Sequence, residues 1–180
     1  MTVQPSSETA ATRTSSPGDL VLDGLFTGII GAMLVALWFL ALDSIQGRPF
    51  FTPALLGTVM LHGAQVAVNG PVIAPFEVAV YTAFHFVVFI VIGFVLSWLM
   101  NLFEQFPIVF FVLLVLALCL QLGFFALNLI LGAELLGLLP VWSVVIANLL
   151  AAGGMAFYQW KRHPSVMKGV EKLWQDEAAS

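Results

Sequence analysis

The sequence predicts an all-α fold, an integral membrane four-helix bundle with an outer amphipathic interfacial helix and a C-terminal cytoplasmic surface helix. Three observations lead to this class. Apolar residues make up 61% of the 180 residues and charged residues only 9%, whereas about 25% of residues are charged in a soluble domain. Four apolar stretches are each long enough to cross a bilayer core of about 30 Å. The remaining segments are polar or amphipathic, which indicates one membrane domain with short tails.

The ends of the chain differ from its middle. Residues 1–20 are rich in Ser, Thr and Pro and lack an apolar run, so we expect a disordered cytoplasmic tail and not a signal peptide. The transmembrane domain is predicted over residues 21–163. In residues 164–180, an apolar face opposes Lys and Glu side chains, a pattern typical of an amphipathic tail helix on a membrane surface.

The first predicted span covers residues 24–42 and carries a stripe of small residues at every fourth position: Gly24, Gly28, Ala32 and Ala36. Such a stripe lets two helix backbones approach closely. It does not identify the partner helix. Packing within the monomer is the favoured interpretation, and a homodimer seam is the alternative.

The connection after this span predicts a helix over about residues 53–68, because Thr52 and Pro53 suit the N-cap and first helical positions. Thr58, His62, Gln65 and Asn69 share one face of that helix, opposite a mainly apolar face. The pattern indicates an amphipathic helix in the membrane interface. A re-entrant segment or a fifth crossing is the alternative.

The other three spans are predicted at about residues 78–100, 107–131 and 140–160. Five of the six cations fall on the side shared by the two tails, and Arg48 falls on the other side. Cytoplasmic loops carry the excess of Lys and Arg in membrane proteins. Both termini are therefore expected in the cytoplasm, which places the helix over residues 53–68 on the outer side.

His85 is the only strongly ionisable side chain within any predicted span. It shares a helix face with Tyr81 and Glu77, at spacings of four and eight residues. The depths below the outer boundary are about 10 Å for His85, about 15 Å for Gln121 and about 13 Å for Asn148. With residues nearer the boundary, the predicted outer polar cluster comprises Tyr81, His85, Gln121, Asn128, Ser143 and Asn148.

The outer polar cluster has two interpretations. A neutral His85 that hydrogen-bonds to Gln121 or Asn148 would fix the helix bundle, which is the favoured structural role. Alternatively, His85 would bind a quinone headgroup or act in a proton path. Haem is less favoured because no other span offers a second axial histidine. The inner half of the bundle offers chiefly Thr27 and Ser97, and no cofactor is predicted.

Composition and motifs exclude several functions. The net charge of −4 argues against nucleic acid as a partner. A single cysteine, Cys119, excludes an intrachain disulfide framework and a thiolate metal cluster. The motifs of metalloproteases, serine hydrolases and P-loop enzymes are absent from the sequence, so we predict neither a catalytic residue nor a metal ligand.

The favoured function is a non-catalytic accessory or scaffold subunit of a larger membrane complex. Small-residue stripes, surface helices and many Phe and Leu side chains suit lateral packing against other membrane subunits. The bilayer and such subunits are the expected partners, with a homo-oligomer as an alternative. The alternative functions are a quinone- or haem-binding electron-transfer subunit using His85, and then a small transporter or proton-path protein.

Three stretches carry a family resemblance: GLFTGIIGAMLVALWFLALD, GRPFFTPALLG and the FHFVVFIVIG around His85. Together they resemble small four-span bacterial membrane proteins. The resemblance implies a bacterial inner membrane as the location. It implies no activity, cofactor or site residue.

Overall fold

The computed structural model describes residues 17–70, 73–103 and 139–162, and in these ranges the chain forms helices and no strand. The predicted third span over residues 107–131, residues 1–16 of the predicted tail over 1–20 and the tail helix over residues 164–180 lie outside the described residues. Residues 17–20, predicted as the end of the disordered tail, are helical and begin α1. The described helices are α1 (Pro17–Ile45), α2 (Phe51–His62), α3 (Ala64–Asn69), α4 (Pro75–Phe103) and α5 (Val141–Arg162).

Helices α1, α4 and α5 are long and apolar enough to cross a membrane. They match the first, second and fourth predicted spans, and the chain is a helical membrane protein. Helix α1 extends beyond the predicted residues 24–42 at both ends, past Asp23 and Asp43. Hydropathy marks only the part of a helix that lies in hydrocarbon, whereas the backbone hydrogen bonds continue through these flanking acids.

Helix α1 is the central element because both other long helices pack on it. The α1–α4 contact places Gly24 beside Phe94 and Gly28 beside Ile90, so α4 runs antiparallel to α1. The α1–α5 contacts include a hydrogen bond of 2.9 Å from Trp38 Nε1 to the Ser143 carbonyl oxygen and, at the other end, the ion pair of Asp23 with Arg162. Helix α5 is therefore also antiparallel to α1, and α4 and α5 run in the same direction.

The small-residue stripe of α1 lies against α4 of the same chain. A Cβ added at Gly28 would lie 2.8 Å from the Ile90 backbone nitrogen, and one added at Gly93 would lie 2.8 Å from the Gly28 Cα. Real Cβ atoms do not approach so closely, so both glycines are required at this crossing. Ala32, the next stripe residue, is fully buried, whereas Ala36 borders a cavity.

The segment between α1 and α4 differs from the single helix predicted over residues 53–68. It consists of α2 and α3, which are separated at Gly63, where φ is +89°. Thr58, expected on the polar outer face, is fully buried, and its hydroxyl donates to the Ala54 carbonyl oxygen at 2.8 Å. Helix α2 lies on the start of α4, where a Cβ at Gly57 would meet the Glu77 backbone.

Candidate functional site

A cavity of about 180 Å³ lies between α1, α2 and α4. Its wall is mainly apolar, and its polar side chains are those of Tyr81, Thr82, His85 and Thr52. Among the described residues that line it, none is an acid, a lysine or an arginine. The other lining residues are Met33, Val35, Ala36, Leu37, Phe39, Leu40, Phe50, Pro53 and Val78.

His85 is held in this cavity wall by one hydrogen bond and by aromatic contacts. Its Nε2 lies 3.2 Å from the Ala32 carbonyl oxygen of α1. The imidazole centroid is 4.8 Å from the Phe89 ring centroid and 5.8 Å from that of Tyr81. A carbonyl oxygen can only accept, so this hydrogen bond assigns the proton to Nε2. In the neutral ring, Nδ1 is then a hydrogen-bond acceptor.

The structure brings together only part of the predicted outer polar cluster. Tyr81 and His85 are adjacent on α4 and line the same cavity. The observed partner of His85 is the backbone of Ala32 and not the expected side chain of Asn148. The backbone supplied an acceptor that the sequence pattern does not reveal. Gln121 and Asn128 lie outside the described residues.

Ser143 of the predicted cluster is engaged at the start of α5. Its hydroxyl donates to the Pro140 carbonyl oxygen at 2.7 Å, and its own carbonyl oxygen accepts from Trp38. Asn148 lies one turn further along α5 and is half-buried. Ser143 therefore bonds within the first turn of its own helix and fixes α5 to α1.

A second polar group, which we call the inner cluster, joins all three long helices at the opposite end of α1. The Gln159 side-chain amide of α5 donates to the Thr27 hydroxyl at 2.9 Å and to the Ser97 hydroxyl at 2.6 Å. Gln159 is 2% exposed, and Thr27 and Ser97 are fully buried. The two bonds of the amide nitrogen offset the cost of burying it in an apolar surrounding, whereas Gln159 Oε1 is buried with no hydrogen-bond partner among the described residues.

Asp23 extends the inner cluster toward the membrane surface. Its Oδ1 accepts from Arg162 Nε at 2.7 Å and from the Tyr158 hydroxyl at 3.3 Å. The Thr27 hydroxyl donates to the Asp23 carbonyl oxygen at 2.6 Å. The expectation that the inner half offers little beyond Thr27 and Ser97 is therefore wrong. No site role was predicted for Gln159 or Arg162, although three helices each carry polar groups at this level.

Two acidic residues hold α2 against the long helices. Asp43 is 3% exposed, and its carboxylate accepts from the Thr52 backbone nitrogen at 2.7 Å and from the Thr52 hydroxyl at 2.9 Å. These bonds satisfy the first turn of α2, whose N-cap residue Phe50 provides no side-chain cap. Glu77 of α4 lies 3.2 Å from His62 Nε2 at the end of α2. Both ends of α2 are thus attached to long helices.

The described residues carry little that could perform catalysis. Within residues 17–70, 73–103 and 139–162, no group of three or more His, Cys, Asp and Glu side chains is arranged to hold a metal ion. His85 and His62 each have one partner, a backbone carbonyl and a carboxylate respectively. The cavity can bind a small molecule, and the polar pairs can fix the helices relative to one another.

Comparison with known proteins adds no relative. No protein-family model, curated protein or solved structure matches this chain. The resemblance to small four-span bacterial membrane proteins therefore stays a prediction from the quoted stretches. Any function must be argued from the geometry.

His85→Leu is expected to lower the free energy of unfolding by about 0.6–2 kcal/mol, because it removes an interhelical hydrogen bond inside the membrane. His85→Gln should retain much of that stability, since its amide can still donate to the Ala32 carbonyl oxygen. Thermal unfolding of the purified protein in detergent measures both effects. Phe84→Leu is the control, because Phe84 directly precedes His85 in α4 and its side chain is exposed. A His85→Leu protein as stable as the wild type would contradict a structural role for this bond.

Proposed function

We propose that the chain is a non-catalytic accessory or scaffold subunit of a larger membrane complex. The observation that supports this proposal is that buried polar side chains form hydrogen bonds between helices of the same chain. Gln159 connects Thr27 and Ser97, and Asp43 holds the first turn of α2 through Thr52. These groups hold helices of the same chain in fixed positions, as expected of a protein that presents a defined membrane-embedded surface to its partners.

Helix α4 provides the surface for a partner. Large apolar side chains are exposed at positions that alternate by four and three residues, the spacing with which helices pack side by side. Their exposed fractions run from 37% at Val88 to 56% at Trp98. We call this surface the α4 seam, and its members are Phe84, Val88, Val91, Val95 and Trp98.

The topology that we propose has four membrane spans, with both termini in the cytoplasm of a bacterium and the α2–α3 segment at the outer interface. Helices α4 and α5 run in the same direction, so Phe103 and Leu139 lie at opposite ends of α1. The proposed third span, predicted over residues 107–131, would join these two ends. Lys161 and Arg162 end α5 beside the start of α1, which fits a cytoplasmic location for that end.

Site-specific photo-cross-linking in native membranes tests the accessory role. A photoreactive phenylalanine analogue replaces Val91 in the α4 seam, and the same analogue at Leu55, which is fully buried, serves as the matched control. We expect one membrane protein to be cross-linked from Val91 and not from Leu55, and the same protein to copurify in mild detergent. Adducts confined to lipid or to this chain itself, at Val91 and also at Trp98, would contradict the proposal.

The geometry does not favour haem as a cofactor. His62 is the other histidine among the described residues, and it pairs with Glu77. Glu77 lies eight residues before His85 in α4, a separation of about 12 Å along the helix axis. The two imidazoles therefore do not face each other as a pair of axial ligands would.

A further inference from the structure

We propose that the cavity between α1, α2 and α4 binds the ring of a membrane-soluble hydroquinone, whose apolar tail lies in an adjoining groove. This proposal assigns a ligand site and so goes beyond the accessory role, on which it does not depend. It rests on the size of the cavity, the hydrogen-bonding state of His85 and the continuity of the cavity with the groove.

The size of the cavity fits a single ring. Its volume is about 180 Å³, and an engineered protein cavity of about 150 Å³ binds benzene. The space is therefore large enough for a substituted six-membered ring. The described part of the wall has no acid, lysine or arginine, so a neutral headgroup suits it and a phosphate headgroup would lack a counter-charge there.

His85 sets the polarity of the preferred hydrogen bond. Its Nε2 is committed to the Ala32 carbonyl oxygen at 3.2 Å, so the nitrogen left for a ligand is Nδ1, an acceptor in the neutral ring. The matching ligand group is a hydroxyl that donates. A hydroquinone carries such hydroxyls on a single ring, and a ring whose oxygens are methylated does not.

The groove provides room for a tail. It has a volume of about 730 Å³ and an apolar wall formed by the residues before and within the start of α4. Phe50, Val78 and Thr82 line both the cavity and the groove, so the two spaces adjoin. Phe50 has a φ of +66°, a left-handed conformation that is uncommon for a bulky residue. Such conformations occur preferentially at ligand clamps and other functional sites.

The test uses the purified full-length chain in phosphatidylcholine nanodiscs under anaerobic conditions. The probes are 2-decylhydroquinone and its dimethyl ether, which share the ring and the tail and differ in the two hydroxyl donors. Equilibrium binding is measured for the wild type, His85→Leu, Ala36→Phe and Ala41→Phe. Ala36 lines the cavity, whereas Ala41 is exposed on the same helix, so Ala41→Phe is the matched control.

We expect saturable binding of the hydroquinone by the wild type, about fivefold tighter than binding of the ether, the usual effect of one net hydrogen bond. His85→Leu should bind both probes equally. Ala36→Phe should weaken binding of both at least tenfold, while Ala41→Phe leaves them unchanged; Thr82→Phe replaces Ala36→Phe if the latter does not fold. Absence of saturable binding, equal affinities for both probes in the wild type, or undiminished binding by the cavity-filling variant would each overturn the proposal.

Discussion

Gly28→Leu is expected to prevent α1 and α4 from packing and to abolish the folded, monodisperse protein. Even the first added carbon would overlap the backbone of Ile90 and Phe89, and a helix backbone cannot move aside as a flexible side chain can. Gly28→Ala should already lower the free energy of unfolding by about 1–3 kcal/mol, the usual cost of overpacking. Gly93→Leu, on the facing helix, should have the same effect as Gly28→Leu.

Size-exclusion chromatography of the detergent-solubilised protein and its thermal unfolding midpoint measure this effect. Gly153→Leu is the matched control, because Gly153 is exposed on α5 and a Cβ there meets nothing within 4 Å. Its stability should stay within about 0.5 kcal/mol of the wild type. If Gly28→Leu and Gly153→Leu behave alike, the close α1–α4 crossing does not exist.

Asp43→Ala is expected to lower the free energy of unfolding by about 1.5–3 kcal/mol, the range for hydrogen bonds to charged groups. The substitution leaves the Thr52 backbone nitrogen and hydroxyl without their acceptor, and Thr52 is 4% exposed, so water replaces that acceptor poorly. Asp43→Asn should cost less, since its one amide oxygen can still accept. Helix α2 should become more open to hydrogen exchange in Asp43→Ala.

Thermal unfolding and hydrogen exchange at residues 51–58 provide the measurements for Asp43. Ser44→Ala, at the next position in α1 and exposed, should change neither. Unaltered exchange in α2 of Asp43→Ala would show that Asp43 does not anchor this helix.

The long helices could be predicted because hydropathy alone determines which segments enter a bilayer. The predicted spans over residues 24–42, 78–100 and 140–160 lie within, or within one residue of, α1, α4 and α5. The ends were predicted less well. The predicted first span leaves out Asp23 and Asp43, yet both are buried within α1 because other helices supply their donors.

The α2–α3 segment shows why a polar pattern can mislead. Thr58 and His62 share a helix face with Gln65, which predicted one continuous amphipathic helix. A threonine hydroxyl can bond to the carbonyl four residues earlier in its own helix, and the buried Thr58 hydroxyl donates to the Ala54 carbonyl oxygen in this way. Gly63, which has a positive φ, then ends α2. This glycine is the feature of the sequence that could have predicted the break between the two helices.

The candidate site could be predicted only in part, because its contacts depend on the positions of the helices along one another. His85 was identified from its chemistry, and Tyr81 from its helical spacing. The pairing of Gln159 with Thr27 and Ser97 depends on how far three helices slide past one another, which no single helix encodes. The partner of His85 is a backbone carbonyl. Every residue carries such a group, so the sequence does not single out Ala32.

Cysteine accessibility tests the central claim, that the chain crosses the membrane four times with both tails in the cytoplasm. Cys119 is replaced by serine, and single cysteines are introduced at Ser15, Gln65 and Ser180. In intact bacterial cells a membrane-impermeant maleimide should label only the cysteine at position 65, and after lysis it should label all three. Labelling of positions 15 and 180 from opposite sides would require an odd number of crossings and would contradict the account.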